Sequence, residues 1–121
     1  MNKTPNTLLD KSYAFARRTV KCYSHIKKNK REYILSKQLL RSGTSIGANA
    51  HEAHVAQSKR EFIAKLQISL KEAHETQFWL RLLSDSKIIS EKASQSMQSD
   101  CIELIKLMTS IIKTTKRNMG K

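Results

Sequence analysis

The sequence has little of what punctuates a β-rich fold. Its 121 residues include 3 glycines and 1 proline, and tight turns draw chiefly on those two types. A sandwich or barrel of short strands is thereby disfavoured. Two cysteines, Cys22 and Cys101, are too few for a disulfide scaffold. No apolar run approaches the roughly 20 residues of a membrane span. The opening Met1 to Pro5 lacks the apolar stretch of a secretory signal, so a soluble, cytoplasmic protein is expected. Acidic residues are also scarce, 10 against 23 Lys and Arg, for a formal charge of +13. What is present is 39% hydrophobic residues, enough for a core, which argues against wholesale disorder. The composition describes a small, basic, mostly helical domain. It suggests acidic partners such as nucleic acid and names no reaction.

The charge is uneven along the chain. Residues 1–41 hold eleven Lys and Arg against Asp10 and Glu32. Residues 42–112 hold eight of each sign and are neutral. The tail adds Lys113, Lys116, Arg117 and Lys121. Such asymmetry points to a polyanion, although a solvated basic surface has the same composition.

Apolar periodicity predicts four helices and no linker. The first covers about 7–26. Leu8, Phe15, Thr19, Cys22 and Ile26 lie on one side of it, and Lys11, Arg17, Arg18, Lys21 and Lys28 on the other. Lys27-Lys28-Asn29-Lys30-Arg31 reads as an exposed turn, because its like charges repel and its apolar pattern lapses. The second helix covers about 32–56. Its centre, Ser42 to Ala50, is filled with small residues, including Gly43 and Gly47. Two helical glycines cost about 1 kcal/mol each against alanine. Close approach of a neighbouring backbone accounts for them, and so does a local break in the helix.

Ser58-Lys59-Arg60-Glu61 is a capping box that opens a third helix, to about residue 83. That helix carries two apolar stripes, one through Phe62, Leu66, Ala73 and Leu80, the other through Ile68, Phe78, Trp79 and Leu82. A helix apolar on two sides is covered on two sides, and in a chain this small the second cover is expected from another subunit. Ile68, Glu75, Phe78, Trp79 and Leu82 are the candidate boundary, with the core as the alternative place for Trp79. The fourth helix covers about 90–113, with Ser90 as its cap and a frayed basic tail over 114–121. Short connections between four such rods imply an antiparallel, up-down-up-down four-helix bundle. The turn at 27–31 and the tail then lie at opposite ends.

Several motifs resemble catalytic ones and fail on context. Gly43-Thr44-Ser45-Ile46-Gly47 matches the pattern of a hydrolase nucleophile elbow, which needs a preceding strand and a sharp turn. His51-Glu52-Ala53-His54 spaces its histidines by three where the zinc motif needs four. Glu72 and Glu52 are not followed by histidine three residues on, as a di-iron bundle requires. Cys22 and Cys101 fall on apolar faces and read as buried thiols. No catalytic residue, metal or cofactor is expected. Tyr13, Tyr23, Tyr33, Phe78 and Trp79 could stack bases, but most of them lie at core-like spacing. Phosphate contact by Lys and Arg is the more economical mechanism.

Two stretches are more specific. Gln38 to Asn49 with Glu52-Ala53, and then Glu61-Phe62, Lys65-Leu66, Leu70-Lys71-Glu72-Ala73, Glu75-Thr76 and Phe78-Trp79-Leu80, resemble the 23S rRNA intervening-sequence protein family of four-helix-bundle proteins. Lys11 to Ala16 is similar in character, whereas Ala50 and His51 depart from the family pattern. The resemblance implies a homopentamer, in a family for which no enzymatic activity is established. A more distant similarity is to the accessory proteins of diversity-generating retroelements, which work with a reverse transcriptase. It carries over no catalytic residues.

The expectation is therefore a non-enzymatic, oligomeric bundle that binds nucleic acid, RNA in preference to DNA. Lys11, Arg17, Arg18, Lys21, Lys27, Lys28, Lys30 and Arg31 would meet phosphates, with Lys113, Lys116 and Arg117 second. The alternative is a scaffold for a protein partner such as a reverse transcriptase. Arg41, Asn49, Glu72 and Glu75 are expected to form a polar network that fixes helix register.

Overall fold

The computed structural model describes residues 4–120. They form four helices, α1 (Asn6–Lys30), α2 (Leu35–His54), α3 (Lys59–Asp85) and α4 (Glu91–Met119), and no strand occurs among them. Met1 to Lys3 and Lys121 lie outside the described residues.

Each helix starts for a local reason. The Pro5 carbonyl accepts from the Leu8 and Leu9 amides at 3.0 and 3.2 Å and opens α1. Ser58 caps α3, its Oγ accepting from the Glu61 amide at 3.1 Å, while Glu61 accepts from the Gln57 amide at 2.9 Å. Ser90 caps α4 by accepting from the Ala93 amide at 3.0 Å. For α2 the cap is a glutamate. The Glu32 carboxylate accepts from the amides of Ile34, Leu35 and Ser36 at 2.9, 3.0 and 2.8 Å. These are the orphan donors of a helix N-terminus, satisfied by one anion at the positive end of the dipole.

Several helix ends differ from the sequence expectation. Residues 27–30 are helical, so the expected turn is the last turn of α1, and Arg31 closes it in the left-handed conformation at φ 53°. Cations at a helix C-terminus are favoured by the dipole, which outweighs their mutual repulsion in solvent. Likewise α4 continues to Met119 rather than fraying from Thr114. Thr115 donates to the Ile111 carbonyl at 2.8 Å, and Lys116 and Arg117 sit in the last turn. The second helix is shorter than expected, beginning at Leu35 and ending at His54.

The four helices pack as a four-helix bundle. Leu8, Phe15 and Ile26 of α1, Leu39 and Ile46 of α2, Leu66 and Leu80 of α3, and Leu104 and Met108 of α4 are buried in one core. Each such side chain contributes about 1.5–3 kcal/mol when fully buried. Polar rungs tie the helices together. Ser69 Oγ donates to the Ile46 carbonyl at 2.7 Å, the Thr76 and Ser42 hydroxyls meet at 2.9 Å, and Ser94 Oγ donates to the Leu80 carbonyl at 2.9 Å. Helices α1 and α2 approach closely at two glycines. A Cβ on Gly43 would stand 2.6 Å from Thr19 side-chain atoms, and one on Gly47 would stand 3.1 Å from the Ser12 carbonyl oxygen. Helix α2 runs unbroken through both, so close approach, not a break, explains the small residues. The same continuity removes the context of a nucleophile elbow: Ser45 Oγ donates back to the Arg41 carbonyl at 2.6 Å. Helices α1 and α4 meet along a looser seam.

Candidate nucleic-acid interface

The basic side chains of α1 divide into two groups. Lys11 reaches Glu103 of α4 at 3.0 Å, and Arg18 reaches Asp100 at 2.7 Å and Ser96 Oγ at 2.7 Å. These two cations fasten α1 to α4 across the seam. Sequence reading placed them among free phosphate contacts, because their partners lie 78 to 92 positions away and carry no local signal. Arg17, Lys21, Lys28, Lys30 and Arg31 are exposed and, among the described residues, hold no carboxylate. Lys27 lies 5.9 Å from the centre of the Tyr23 ring, a cation–π contact. Lys113, Lys116 and Arg117 are exposed on α4. Lys116 borders a small depression of about 340 Å³ with Arg60 and Met119, at the end of the bundle away from Lys30.

A larger cleft opens where α1, the end of α3 and the start of α4 meet. It measures about 1170 Å³, and its walls include Lys21 and Lys30 of α1, Arg81 of α3, and Lys87 in the connection to α4. Arg81 and Lys87 were not singled out in the sequence, where they sit in a segment of zero net charge.

The network on α2 and α3 forms in part. The Arg41 guanidinium bridges Glu72, at 2.8 Å, and Glu75, and Glu75 also accepts from Trp79 Nε1 at 2.9 Å. The Trp79 bond and the Arg41 charge hold the Glu75 carboxyl below the usual carboxylate range. Asn49 stays out of this network and donates to the Ser45 carbonyl at 2.9 Å. His51 Nδ1 lies 2.8 Å from the Gly47 carbonyl, which makes that nitrogen the protonated one. Among the described residues no group of three His, Cys, Asp or Glu side chains is placed to hold a metal ion.

On the same helix, Ile68 is 46% exposed and Phe78 52% exposed, while Trp79 packs partly against the core. The Phe78 and Trp79 rings meet edge to face with centroids 5.0 Å apart. Leu82 is half-buried beside them on the helix. Cys101 is buried with its thiol 3.2 Å from the Ala73 carbonyl, and burial pushes its pKa up to about 12. No helix is long and apolar enough to cross a membrane among the described residues.

No curated protein matches the chain significantly. A solved structure from Bacteroides thetaiotaomicron, of a protein with unknown function from the S23 ribosomal protein family, is similar at 49% identity. The similarity covers 88% of this chain and 98% of that one, with a TM-score of 0.86. The family model of the 23S rRNA-intervening sequence protein matches residues 5–110. With the conserved architecture and that match spanning α1 to α4, the chain belongs to the 23S rRNA-intervening sequence protein family.

Proposed function

We propose that this protein is a non-catalytic nucleic-acid-binding bundle, of up-down-up-down topology, that works as a ring of five copies. The observation that carries the reading is the set of exposed cations along α1 and at its C-cap, Arg17, Lys21, Lys28, Lys30 and Arg31, which hold no carboxylate among the described residues. Unpaired cations at this density attract phosphate through counterion release, with little dependence on sequence. Helix directions support the topology: Ser42 meets Thr76 while Ile46 meets Ser69, and Ser94 meets Leu80 while Cys101 meets Ala73. The apolar stripe of Ile68, Phe78, Trp79 and Leu82, beside Glu75, supports the ring, which would gather five copies of each basic patch around one axis. The family name associates these proteins with 23S rRNA, and the preference for RNA over DNA rests on that analogy. A cytoplasmic location agrees with such a partner.

The test is binding of RNA and DNA at low and moderate salt. Log affinity should fall linearly with log salt, by about 0.7–0.9 per phosphate contact. Absence of binding at low salt, or binding indifferent to salt, removes the proposal. Ile34 and Val55 are exposed apolar residues outside the α3 stripe, and they favour a second reading, a scaffold for a protein partner such as a reverse transcriptase. Capture of one protein that survives nuclease treatment supports that reading over the first.

A further inference from the structure

We propose that the cleft between α1, the end of α3 and the start of α4 holds a single-stranded stretch of nucleic acid. The inference rests on the nucleic-acid reading above and gives it a place and a strandedness. At about 1170 Å³ the cleft exceeds the roughly 300–1,000 Å³ of ordinary small-ligand sites, so it has room for a run of nucleotides and not merely one ion. Lys21, Lys30, Arg81 and Lys87 enter its walls from three separate elements. Among the described residues none of the four holds a carboxylate, although Asp85 and Glu91 share the same walls. Cations that face one cavity and decline the available acids repel one another until a polyanion enters. Part of the cleft wall is apolar, with Ile89 and Met97 buried there and Ile88 half-buried, between polar side chains such as Ser90, Gln95 and Gln98. A single strand offers both surfaces this asks for, phosphates to the rim and unstacked bases to the apolar wall. A duplex keeps its bases inside and offers its backbone.

The backbone at the rim agrees. Arg31 and Lys87, at φ 53° and 61°, are the non-glycine residues with positive φ among those described. They follow the ends of α1 and α3, where glycine is the usual occupant and a side chain is strained. No described glycine has a positive φ. The Lys87 turn is the glycine-type helix ending, with the Ile88 amide donating to the Leu83 carbonyl at 2.9 Å. Both strained positions carry a cation, one in the wall of the cleft and one next to Lys30. Turn geometry does not call for that choice, and phosphate does.

The experiment measures binding of a short single-stranded RNA and of its duplex to the full chain and to three variants. Lys87→Gly and Arg81→Ala should each weaken the single strand about tenfold and lower its salt slope by about one phosphate contact, while duplex affinity holds. Lys87→Gly should melt no lower than the parent, which separates the loss from unfolding. The double variant Arg17→Ala/Lys28→Ala, on the exposed face of α1, should weaken both RNAs. Unchanged single-strand affinity in the two cleft variants, with a loss in the double variant, overturns the cleft and leaves the proposed function standing. Equal losses for strand and duplex overturn the strandedness. A parent chain that binds neither RNA at low salt removes both proposals.

Discussion

Gly47 of α2 faces the main chain of Ser12 in α1, so close that a Cβ would stand 3.1 Å from the Ser12 carbonyl oxygen. Alanine normally stabilises a helix by about 1 kcal/mol over glycine. Here the obstacle is backbone, and the two helices must part to admit the methyl. Gly47→Ala should therefore destabilise the fold by about 1–2 kcal/mol, read from denaturant unfolding.

At Gly43 the obstacle is a side chain. Thr19 is buried, and its hydroxyl donates to the Phe15 carbonyl at 2.9 Å, so it cannot swing aside freely. Gly43→Ala alone should lower stability, and the combination with Thr19→Ala should recover part of the loss. The coupling in a double-mutant cycle should exceed about 0.5 kcal/mol, and strict additivity would show that the two positions do not compete for space.

Acid should loosen the start of α2. Burial disfavours the charged form of Glu32, but the amides of Leu35, Ser36 and Ile34 outweigh it and hold the carboxyl below its ordinary value. A depressed folded-state pKa gives stability that is complete above the unfolded value, about 4.3, and is lost as pH falls through the folded one. Glu75, also lowered, has the same sign. Glu32→Gln should flatten the acid limb of a melting-temperature profile and leave stability above neutral pH lower than in the parent.

The exposed stripe of α3 gives a prediction about assembly. Ile68→Asp or Leu82→Asp should convert the proposed ring to monomers by light scattering, while helix content measured by circular dichroism stays constant. Variants that remain assembled would mean that this stripe is not the boundary between copies.

The two thiols should behave differently. Cys101 is fully buried with its pKa near 12, and alkylation at neutral pH should wait on global unfolding. Cys22 is half-buried in the cleft wall, and burial raises its pKa despite the nearby Arg18 charge. It should react first in a mass-spectrometric time course.

Ser58 and Ser90 were legible as helix starts because a cap is a local arrangement of side chain and amide. So was the stripe of small residues on α2, whose explanation needed the facing residues Ser12 and Thr19. The charge run at 27–31 was misread because repulsion between neighbours is visible in sequence, whereas the helix dipole that offsets it exists only once the helix forms. Glu32 was placed near the start of α2 without its capping role, since glutamate is not among the usual cap types. The cleft was illegible for a different reason. Lys21, Lys30, Arg81 and Lys87 come together only through tertiary packing, and Arg81 and Lys87 belong to a stretch whose charges cancel on average.

Arg31 and Lys87 also bear on how the family can diverge. A glycine at either corner is the easier residue for the chain, so drift alone should carry relatives toward it wherever nothing opposes. On the proposed phosphate role, lineages that retain a long cation at both corners should be those still under selection for the polyanion. Those that have relaxed to glycine should keep the bundle and have lost the ligand.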